Sequence, residues 1–275
     1  MDRRHDRRVI AADTAVSNSE APIAREVVGS RVDATSYRDA TDRILEWAGM
    51  REARYVCVAA VSTVMIGRRD PAFRSITNAA DLVTPDGMPL AWALRLLGVS
   101  GATRVRGTDL TAVVLERAAA TDVPVGFYGG EPSALASLVE KARRRWPLLE
   151  IPYAYSPPFR ELSAEEDERI VREIVDSGAR ILFVGLGCPK QEVWMAAHTQ
   201  TVPAVMVGVG AAFDFLAGSK RQAPMVMQRA GLEWLFRLAT EPRRLWKRYL
   251  TQNPAFLGLL AVQLARRRSM ERSAG

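Results

Sequence analysis

The sequence contains few of the residues that build metal and redox sites. Its two cysteines, Cys57 and Cys188, lie far apart in the chain and form neither a metal-binding nor a redox spacing. Its two histidines, His5 and His198, have no Cys or His neighbour at ligand spacing. We therefore expect no metal centre built on these side chains, and the cysteine usage is typical of a reducing compartment.

Long apolar segments are also missing. The first residues, MDRRHDRRV, are charged and no apolar run follows them, so no secretory signal is predicted. The longest apolar stretch near the C-terminus, PAFLGLLAVQLA at 254–265, is 12 residues long. A membrane-spanning helix needs about 20 residues. The sequence therefore predicts a cytoplasmic chain without a membrane span.

Several common nucleotide and catalytic motifs are absent too. No GxxxxGK[ST] occurs, and GVGAAF at 208–213 has only the first two glycines of GxGxxG and lies late in the chain. There is no DxD, the metal clamp of many sugar-nucleotide enzymes, no GxSxG and no Cys/His pairing for covalent catalysis. These absences argue against P-loop enzymes, serine hydrolases of the GxSxG type and enzymes that hold a metal through DxD.

The 275 residues do contain a regular alternation of strand and helix patterns. The stretch 27–34 is typical of a first strand and turn. Apolar runs follow at 54–61, 80–85, 123–130, 149–155, 179–187 and 202–210, and helical patterns at 36–49, 63–79, 107–121, 132–146, 163–178 and 190–198, the first with Ser36 as its N-cap and Gly49 as its stop. Runs that are apolar throughout, such as ILFV, fit strands buried on both faces. The sequence therefore predicts an α/β fold, a Rossmann-like parallel sheet covered by helices on both faces.

The last fifth of the chain has a different composition. Residues 220–275 carry 12 Lys and Arg against 3 Asp and Glu, and helical patterns at 225–239, 242–250 and 254–268 follow without a strand. We therefore predict a disordered tail (1–24), an α/β domain (25–223) and a basic helical appendage (224–275). Aromatic residues beside cations suit a helix at a membrane surface. A helical pair packed on the core, with a solvated basic face, explains the pattern equally well.

Glycines and polar residues follow the strands, where parallel sheets bind their ligands. The glycines, which allow a phosphate to approach the backbone closely, are Gly87, Gly129, Gly185, Gly187, Gly208 and Gly210. The polar candidates are Asp86, Arg104, Arg106, Asp109, Lys190, Gln191, Glu192, Asp214, Lys220 and Arg221. An aspartate can take a proton from an attacking hydroxyl while cations stabilise a departing diphosphate without a metal. The set favours group transfer from a nucleotide diphosphate, although Asp86 also fits a plain turn residue and Asp214 a helix cap.

Taken in order, six stretches resemble the WecG/TagA/CpsF family of bacterial glycosyltransferases. They are ADLVTPDGMPLAW, RVRGTDL, FYGG, LFVGLGCPKQEVW, GVGAAFDFLAGSKRQAP and GLEWLFRLATEPRRLWKRYL. The resemblance extends over roughly residues 27–250. One motif differs slightly, since the RAP of the family reads RQAP here, at 221–224.

The resemblance implies an inverting enzyme that needs no metal and no cofactor. It would move a sugar, N-acetylmannosamine-like or glucose-like, from a UDP-sugar to a polyprenyl-diphosphate-linked acceptor in cell-surface polysaccharide or teichoic acid synthesis. It implies Asp86 as the catalytic base and Arg104 as a second catalytic residue, with Gln191 and Asp214 lining the nucleotide-sugar pocket. The other residues predicted to bind substrate are Gly87, Asp109, Gly129, Gly185, Gly187, Lys190, Glu192, Gly208 and Gly210.

For the appendage, the resemblance implies peripheral docking on the cytoplasmic face of the bacterial plasma membrane, over the lipid diphosphate. The residues predicted to make these contacts are Arg221, Arg237, Arg243, Arg244, Lys247 and Arg248. Apolar surface near the appendage is compatible with a homo-oligomer. Nucleic acid is not an expected partner, because the aromatic residues lie in helical repeats rather than in a recognisable nucleic-acid-binding motif.

One stretch departs from the family pattern. Many members carry T-x-N or A-N at the end of the second strand, and the asparagine contacts the sugar. Here VCVAAVSTVM places Val58 and Ala60 at those positions, with Ser62 and Thr63 nearby as substitutes. The departure leaves the donor sugar open and keeps an alternative, a degenerate non-catalytic scaffold of a membrane-associated polysaccharide synthesis complex.

Overall fold

Six parallel strands form one sheet at the centre of the protein, in a computed structural model that describes residues 21–229 and 231–273. They are β3 (Arg54–Ala59), β4 (Leu82–Pro85), β5 (Val125–Gly129), β6 (Tyr153–Tyr155), β7 (Ile181–Gly185) and β8 (Val205–Gly208), in the order β4–β3–β8–β7–β5–β6. An antiparallel hairpin, β1 (Ile23–Val27) and β2 (Ser30–Ala34), precedes them. The predicted α/β class and parallel sheet are confirmed.

Helices connect the strands and cover the sheet. They are α1 (Tyr37–Gly49), α2 (Val61–Arg69), α3 (Pro71–Asn78), α4 (Met88–Leu96), α5 (Gly107–Ala120), α6 (Pro132–Arg145), α7 (Ala164–Ser177), α8 (Lys190–His198), α9 (Ala212–Ala217), α10 (Met225–Arg229), α11 (Glu233–Thr240) and α12 (Pro242–Ser273). Ser36 caps α1 as predicted, because its side chain accepts the N–H of Asp39, and the helix ends at Gly49.

The core consists of two apolar layers, one on each face of the sheet. In β7, Ile181 and Phe183 point into the layer beneath α1, α5, α6 and α9, whereas Leu182 and Val184 point into the layer shared with α2, α4, α7, α8 and α12. All four of these side chains are fully buried. Side chains of a strand alternate between its faces, so a strand covered on both sides must be apolar at every position. This is why the run ILFV predicted the strand correctly.

Some pairs of neighbouring strands lead to helices on opposite faces, which opens a crevice at the carboxyl ends of those strands. Strands β5 and β7 are hydrogen-bonded neighbours, yet α6 after β5 and α8 after β7 pack in different layers. The same holds for β3 and β8, which are followed by α2 and α9. Ligands of open parallel sheets bind at such points.

Several elements differ from the predictions. The helical pattern at 63–79 is two helices, because Asp70 ends α2 and caps α3 through the N–H groups of Ala72 and Phe73. Strand β1 begins at Ile23, inside the predicted disordered tail 1–24, and residues 1–20 of that tail lie outside the described residues. Helices α4 and α9 were not predicted.

The basic C-terminal region is helical, as predicted, and part of it packs against the core of the α/β domain. Instead of two helices at 242–250 and 254–268, one helix, α12, runs through Pro254. Its residues Phe256 and Leu260 are buried in the second apolar layer, and the Gln263 side chain bonds the backbone of the β1–β2 hairpin. Among the residues that the structure describes, no helix is long and apolar enough to cross a membrane.

Candidate active site

Asp86 directly follows β4, where the chain leaves the carboxyl end of the sheet. Its N–H donates to the carbonyl of Ala59 at 2.8 Å, and its Oδ1 accepts the N–H of Gly107 at 3.1 Å. The carbonyl of Pro85 accepts the N–H of Val105 at 2.8 Å. These bonds tie the ends of β3 and β4 to the segment that carries Arg104. The turn aims the Asp86 side chain into a pocket, as the sequence predicted.

The Asp86 carboxyl lies in a poorly solvated environment. The pKa of Asp86 is raised from 3.8 to about 6, first by burial and next by the charge of Glu233. The Gly107 N–H and the cations Arg104 and Arg106 act in the opposite direction and lower it in part. The side chain is only half-buried because one side of it opens to the pocket. A carboxylate of raised pKa that faces a pocket is typical of a general base.

Arg104 lines the same pocket as Asp86. Its guanidinium donates to Glu233 Oε2 at 3.2 Å, and its side chain is 15% exposed. Glu233 is the first residue of α11, so the C-terminal region meets the sheet at this point. Sequence reasoning missed Glu233, because only the fold brings it to Arg104.

Arg106 is the centre of a buried polar network next to the pocket. It bonds both carboxylate oxygens of Asp109, at 2.7 and 3.1 Å, and the side chains of Gln222 and Gln228. The Tyr37 hydroxyl donates to Asp109 and accepts the N–H of Arg106. Both oxygens of Asp109 are therefore engaged within the protein. Its role here is to position Arg106, and its predicted contact with substrate stays a prediction.

The C-terminal helices form the other wall of the pocket. Trp234 and Arg237 of α11 and Tyr249, Gln252 and Asn253 of α12 line it opposite Asp86. The Nε of Arg237 and the Oε1 of Gln252 are buried and have no hydrogen-bond partner in the described part of the chain. Buried polar atoms are normally paired, so these two atoms are candidates to bind a polar ligand.

The predicted glycines pack the strand ends closely. A Cβ on Gly129, whose φ is +112°, would lie 2.6 Å from the Gly185 carbonyl carbon of the neighbouring strand. A Cβ on Gly208 would lie 3.0 Å from the amide nitrogen of Gln191. Gly107, which bonds Asp86, faces the carbonyl of Val209. Of the predicted glycines, Gly87 lines the Asp86 pocket, whereas Gly129, Gly185 and Gly208 pack the ends of β5, β7 and β8 and are not among its lining residues.

Gln191 and Glu192 form a buried pair at the start of α8. Gln191 Oε1 accepts the N–H of Gly187 at 3.2 Å, and its Nε2 donates to Glu192 Oε1 at 3.0 Å. Burial raises the pKa of Glu192, and its second oxygen has no hydrogen-bond partner among the described residues. Gln191 therefore holds the loop after β7 in place, and its predicted contact with the nucleotide sugar stays a prediction.

Comparisons with known proteins show which family the chain resembles. The sequence model of the WecG/TagA/CpsF family of glycosyl transferases matches residues 25–270. The chain belongs to this family. It is also similar to the N-acetylglucosaminyldiphosphoundecaprenol N-acetyl-beta-D-mannosaminyltransferase of Bacillus spizizenii, with 32% identity over 184 residues, which is 66% of this chain and 69% of the relative. The protein is therefore a glycosyltransferase, and the predicted family is confirmed.

Within the described part of the chain, several other predicted residues of this glycosyltransferase are not among those that line the Asp86 pocket. Asp214, in the first turn of α9, pairs with Lys220 at 2.7 Å. Lys190 is exposed, with its ammonium 5.8 Å from the ring of Phe159. Of the remaining basic residues, Arg221 precedes the appendage and is exposed, as are Arg243 and Lys247 on α12. The side chains of Arg244 and Arg248 lie outside the described part.

The positions that depart from the glycosyltransferase family pattern have different surroundings. Val58 is buried in the first apolar layer, and Ala60 lines the pocket. Ser62 lines the pocket as well, whereas Thr63 Oγ1 accepts the N–H of Ala60 at 3.2 Å. Of the two predicted substitutes, Ser62 is therefore the one that borders the pocket.

No group of three or more His, Cys, Asp or Glu residues in the described ranges is arranged to hold a metal ion. Whether the glycosyltransferase works without a metal stays a prediction.

Proposed function

We propose that this glycosyltransferase moves a sugar from a UDP-sugar to a sugar linked to polyprenyl diphosphate. The observation that carries the proposal is the Asp86 carboxyl, which has a raised pKa and shares a pocket with Arg104. The name of the Bacillus relative supports the acceptor class, because it describes an N-acetyl-beta-D-mannosaminyltransferase that acts on N-acetylglucosaminyldiphosphoundecaprenol.

The proposed reaction is a single displacement. The acceptor hydroxyl attacks the anomeric carbon of the donor sugar, and its proton passes to Asp86. The new carbon–oxygen bond forms as the bond to the diphosphate oxygen of UDP breaks, so the configuration at the anomeric carbon inverts. A positioned carboxylate base contributes about 10²- to 10⁴-fold to such a step.

The departing UDP needs stabilisation of its negative charge. Arg104 lines the pocket, and the guanidinium of Arg237, whose Nε has no hydrogen-bond partner among the described residues, is a second cation there. Fixed cations in a site with little water stabilise a developing anion more than they would in bulk water. This set supports departure of the diphosphate without a bound metal ion.

The pH dependence follows from Asp86. The base must be ionised, and its pKa is about 6. We expect kcat/KM to fall about tenfold per pH unit below pH 6 and to level off above pH 7. A rate that stays constant down to pH 4.5 would contradict the assignment of Asp86 as the base.

Docking on the inner leaflet of the plasma membrane is part of the proposal. Trp246 and Leu250 of α12 are 47% and 60% exposed, beside the exposed cations Arg243 and Lys247. Exposed rings and aliphatic side chains enter the interface, while cations bind lipid phosphates. Part of the pocket wall belongs to the same helix, so docking would bring the lipid diphosphate close to the pocket that holds Asp86. Vesicles with anionic lipids should bind the protein more tightly than neutral vesicles.

The testing experiment offers a panel of labelled UDP-sugars with a short-chain lipid-diphosphate N-acetylglucosamine acceptor, in detergent, with and without EDTA. The proposal expects one sugar to be transferred equally well in both conditions, with an inverted anomeric configuration in the NMR spectrum of the product. Retention of configuration, or loss of transfer in EDTA, would contradict the proposed mechanism.

Ala60 supports a second candidate, a non-catalytic scaffold of a polysaccharide synthesis complex. An alanine in the pocket wall offers no polar group to the donor sugar. This candidate expects no transfer from any UDP-sugar and unchanged binding to vesicles, so the same panel separates the two functions.

A further inference from the structure

Glu233 makes an ion-pair network with two arginines from a distant part of the chain. Its Oε2 lies 3.2 Å from Arg104 Nη1, and its Oε1 lies 3.6 Å from Arg106 Nη1. The side chains of Glu233, Arg104 and Arg106 are 21%, 15% and 7% exposed. Side chains that are largely screened from water hold such ion pairs in a more definite geometry than exposed side chains do.

The two arginines differ in how they are held. Arg106 has further partners in Asp109, Gln222 and Gln228. Among the described residues, the side chain that accepts a hydrogen bond from Arg104 is the carboxylate of Glu233. The direction of the Arg104 guanidinium therefore depends on a residue that is 129 positions away, on α11.

We propose that Glu233 is a positioning residue, which holds the Arg104 guanidinium beside Asp86 from the C-terminal wall of the pocket. The inference rests on the proposed function, in which Arg104 stabilises the leaving diphosphate. A displacement of about 1 Å in such a group can reduce a rate about 100-fold.

The charge of Glu233 has a second effect, on Asp86. A nearby negative charge disfavours ionisation of a carboxyl, and Glu233 adds to the effect of burial in raising the pKa of Asp86. Among the described residues, the other charged or titratable groups that line the pocket or pair with Glu233 are Arg104 and Arg106 before α5, Arg237 on α11 and Tyr249 on α12. Glu233 therefore makes Asp86 a stronger base.

The experiment compares three variants of the full chain, Glu233→Gln, Glu233→Asp and Glu168→Gln. In Glu233→Gln the charge is lost, so we expect the acidic limb of kcat/KM to move down by about one pH unit. In Glu233→Asp the charge stays but the reach is shorter, so the limb stays near pH 6 while kcat falls at least about tenfold. Glu168, a surface residue of α7 near Arg172, serves as the matched control and should leave both quantities unchanged.

Wild-type kinetics and a wild-type pH limb in both Glu233 variants would overturn the inference. These measurements also distinguish a purely structural role. Loss of folded protein would lower kcat/KM at every pH but would not change the pH at which kcat/KM begins to fall. Far-ultraviolet circular dichroism establishes that each variant is folded.

A second measurement does not need turnover. The free energy of unfolding at pH 7.5 is compared for wild type, Asp86→Asn, Glu233→Gln and the double variant. We expect Asp86→Asn to increase the free energy of unfolding less in the Glu233→Gln background than in the wild type. An equal increase in both backgrounds would overturn the inference. If no UDP-sugar reacts while the two substitutions are coupled, the proposed function fails and the electrostatic link between Glu233 and Asp86 stands.

Discussion

Replacing Asp86 by asparagine should slow transfer about 10²- to 10⁴-fold and at the same time stabilise the folded protein at neutral pH. Asparagine has nearly the same shape and keeps an oxygen for the N–H of Gly107, which lies 3.1 Å from Asp86 Oδ1. What the substitution removes is a negative charge that the fold keeps away from water. The structure thus predicts that the residue most needed for catalysis reduces stability.

The magnitude follows from the pKa of Asp86, which rises from 3.8 to about 6 in the folded state. One pKa unit corresponds to about 1.4 kcal/mol, which sets an upper value of about 3 kcal/mol. Because the carboxyl keeps some contact with water through the pocket, we expect a gain of about 1–3 kcal/mol.

The direction in which folding shifts the pKa of Asp86 determines how the stability of the protein changes with pH. A carboxyl whose pKa is raised on folding contributes stability below its unfolded pKa, and this contribution is lost as the pH rises through the folded pKa. Relative to Asp86→Asn, the wild type should therefore lose stability between about pH 4 and pH 6. Above pH 7 the difference should be constant.

The assay is urea unfolding of both proteins from pH 4.5 to 8, followed by tryptophan fluorescence. The matched control is Asp109→Asn, since the Asp109 carboxylate is bonded by Arg106 and Tyr37. That control should destabilise the protein by about 1–3 kcal/mol, because it weakens the pairing of a buried arginine. Equal or lower stability of Asp86→Asn at pH 7.5, or a difference that does not vary with pH, would refute the reasoning.

Other substitutions test the surroundings of the site. Arg106→Met should cost about 3–5 kcal/mol in urea unfolding, because it leaves a buried carboxylate without its cation; a loss below 1 kcal/mol would contradict the buried network. Gly129→Ala should cost about 2–5 kcal/mol, because its Cβ would lie 2.6 Å from the facing strand at a φ of +112°, whereas Gly49→Ala, with open space around it, should stay within about 1 kcal/mol of wild type. Ala60→Asn should change the preference among UDP-sugars in the transfer assay, and an unchanged preference would show that this position does not contact the donor.

The elements predicted best from the sequence are those that local pattern determines. Strand β7 is apolar at consecutive positions because both of its faces are covered, and α1 has a capping serine at its start. Asp86 and Arg104 were predicted by motif, and the fold brings both into one pocket.

The elements that were missed depend on contacts between distant residues. Helix α4 is only nine residues long, carries Pro89 in its first turn and has no side-chain cap at its start, so local signals for a helix are weak there. Helix α12 continues through Pro254 because Phe256 and Leu260 pack against the core, which outweighs the lost backbone hydrogen bond. Glu233 lies 129 residues from Arg104, and no local pattern in the sequence indicates that they meet.

The most direct test of the account is the rate of sugar transfer from the reactive UDP-sugar at pH 8, for wild type and Asp86→Asn in detergent with the lipid-diphosphate acceptor. If Asp86 is the base, the variant should be folded, at least as stable as wild type, and about 10²- to 10⁴-fold slower. A variant that transfers sugar at the wild-type rate would contradict the central claim.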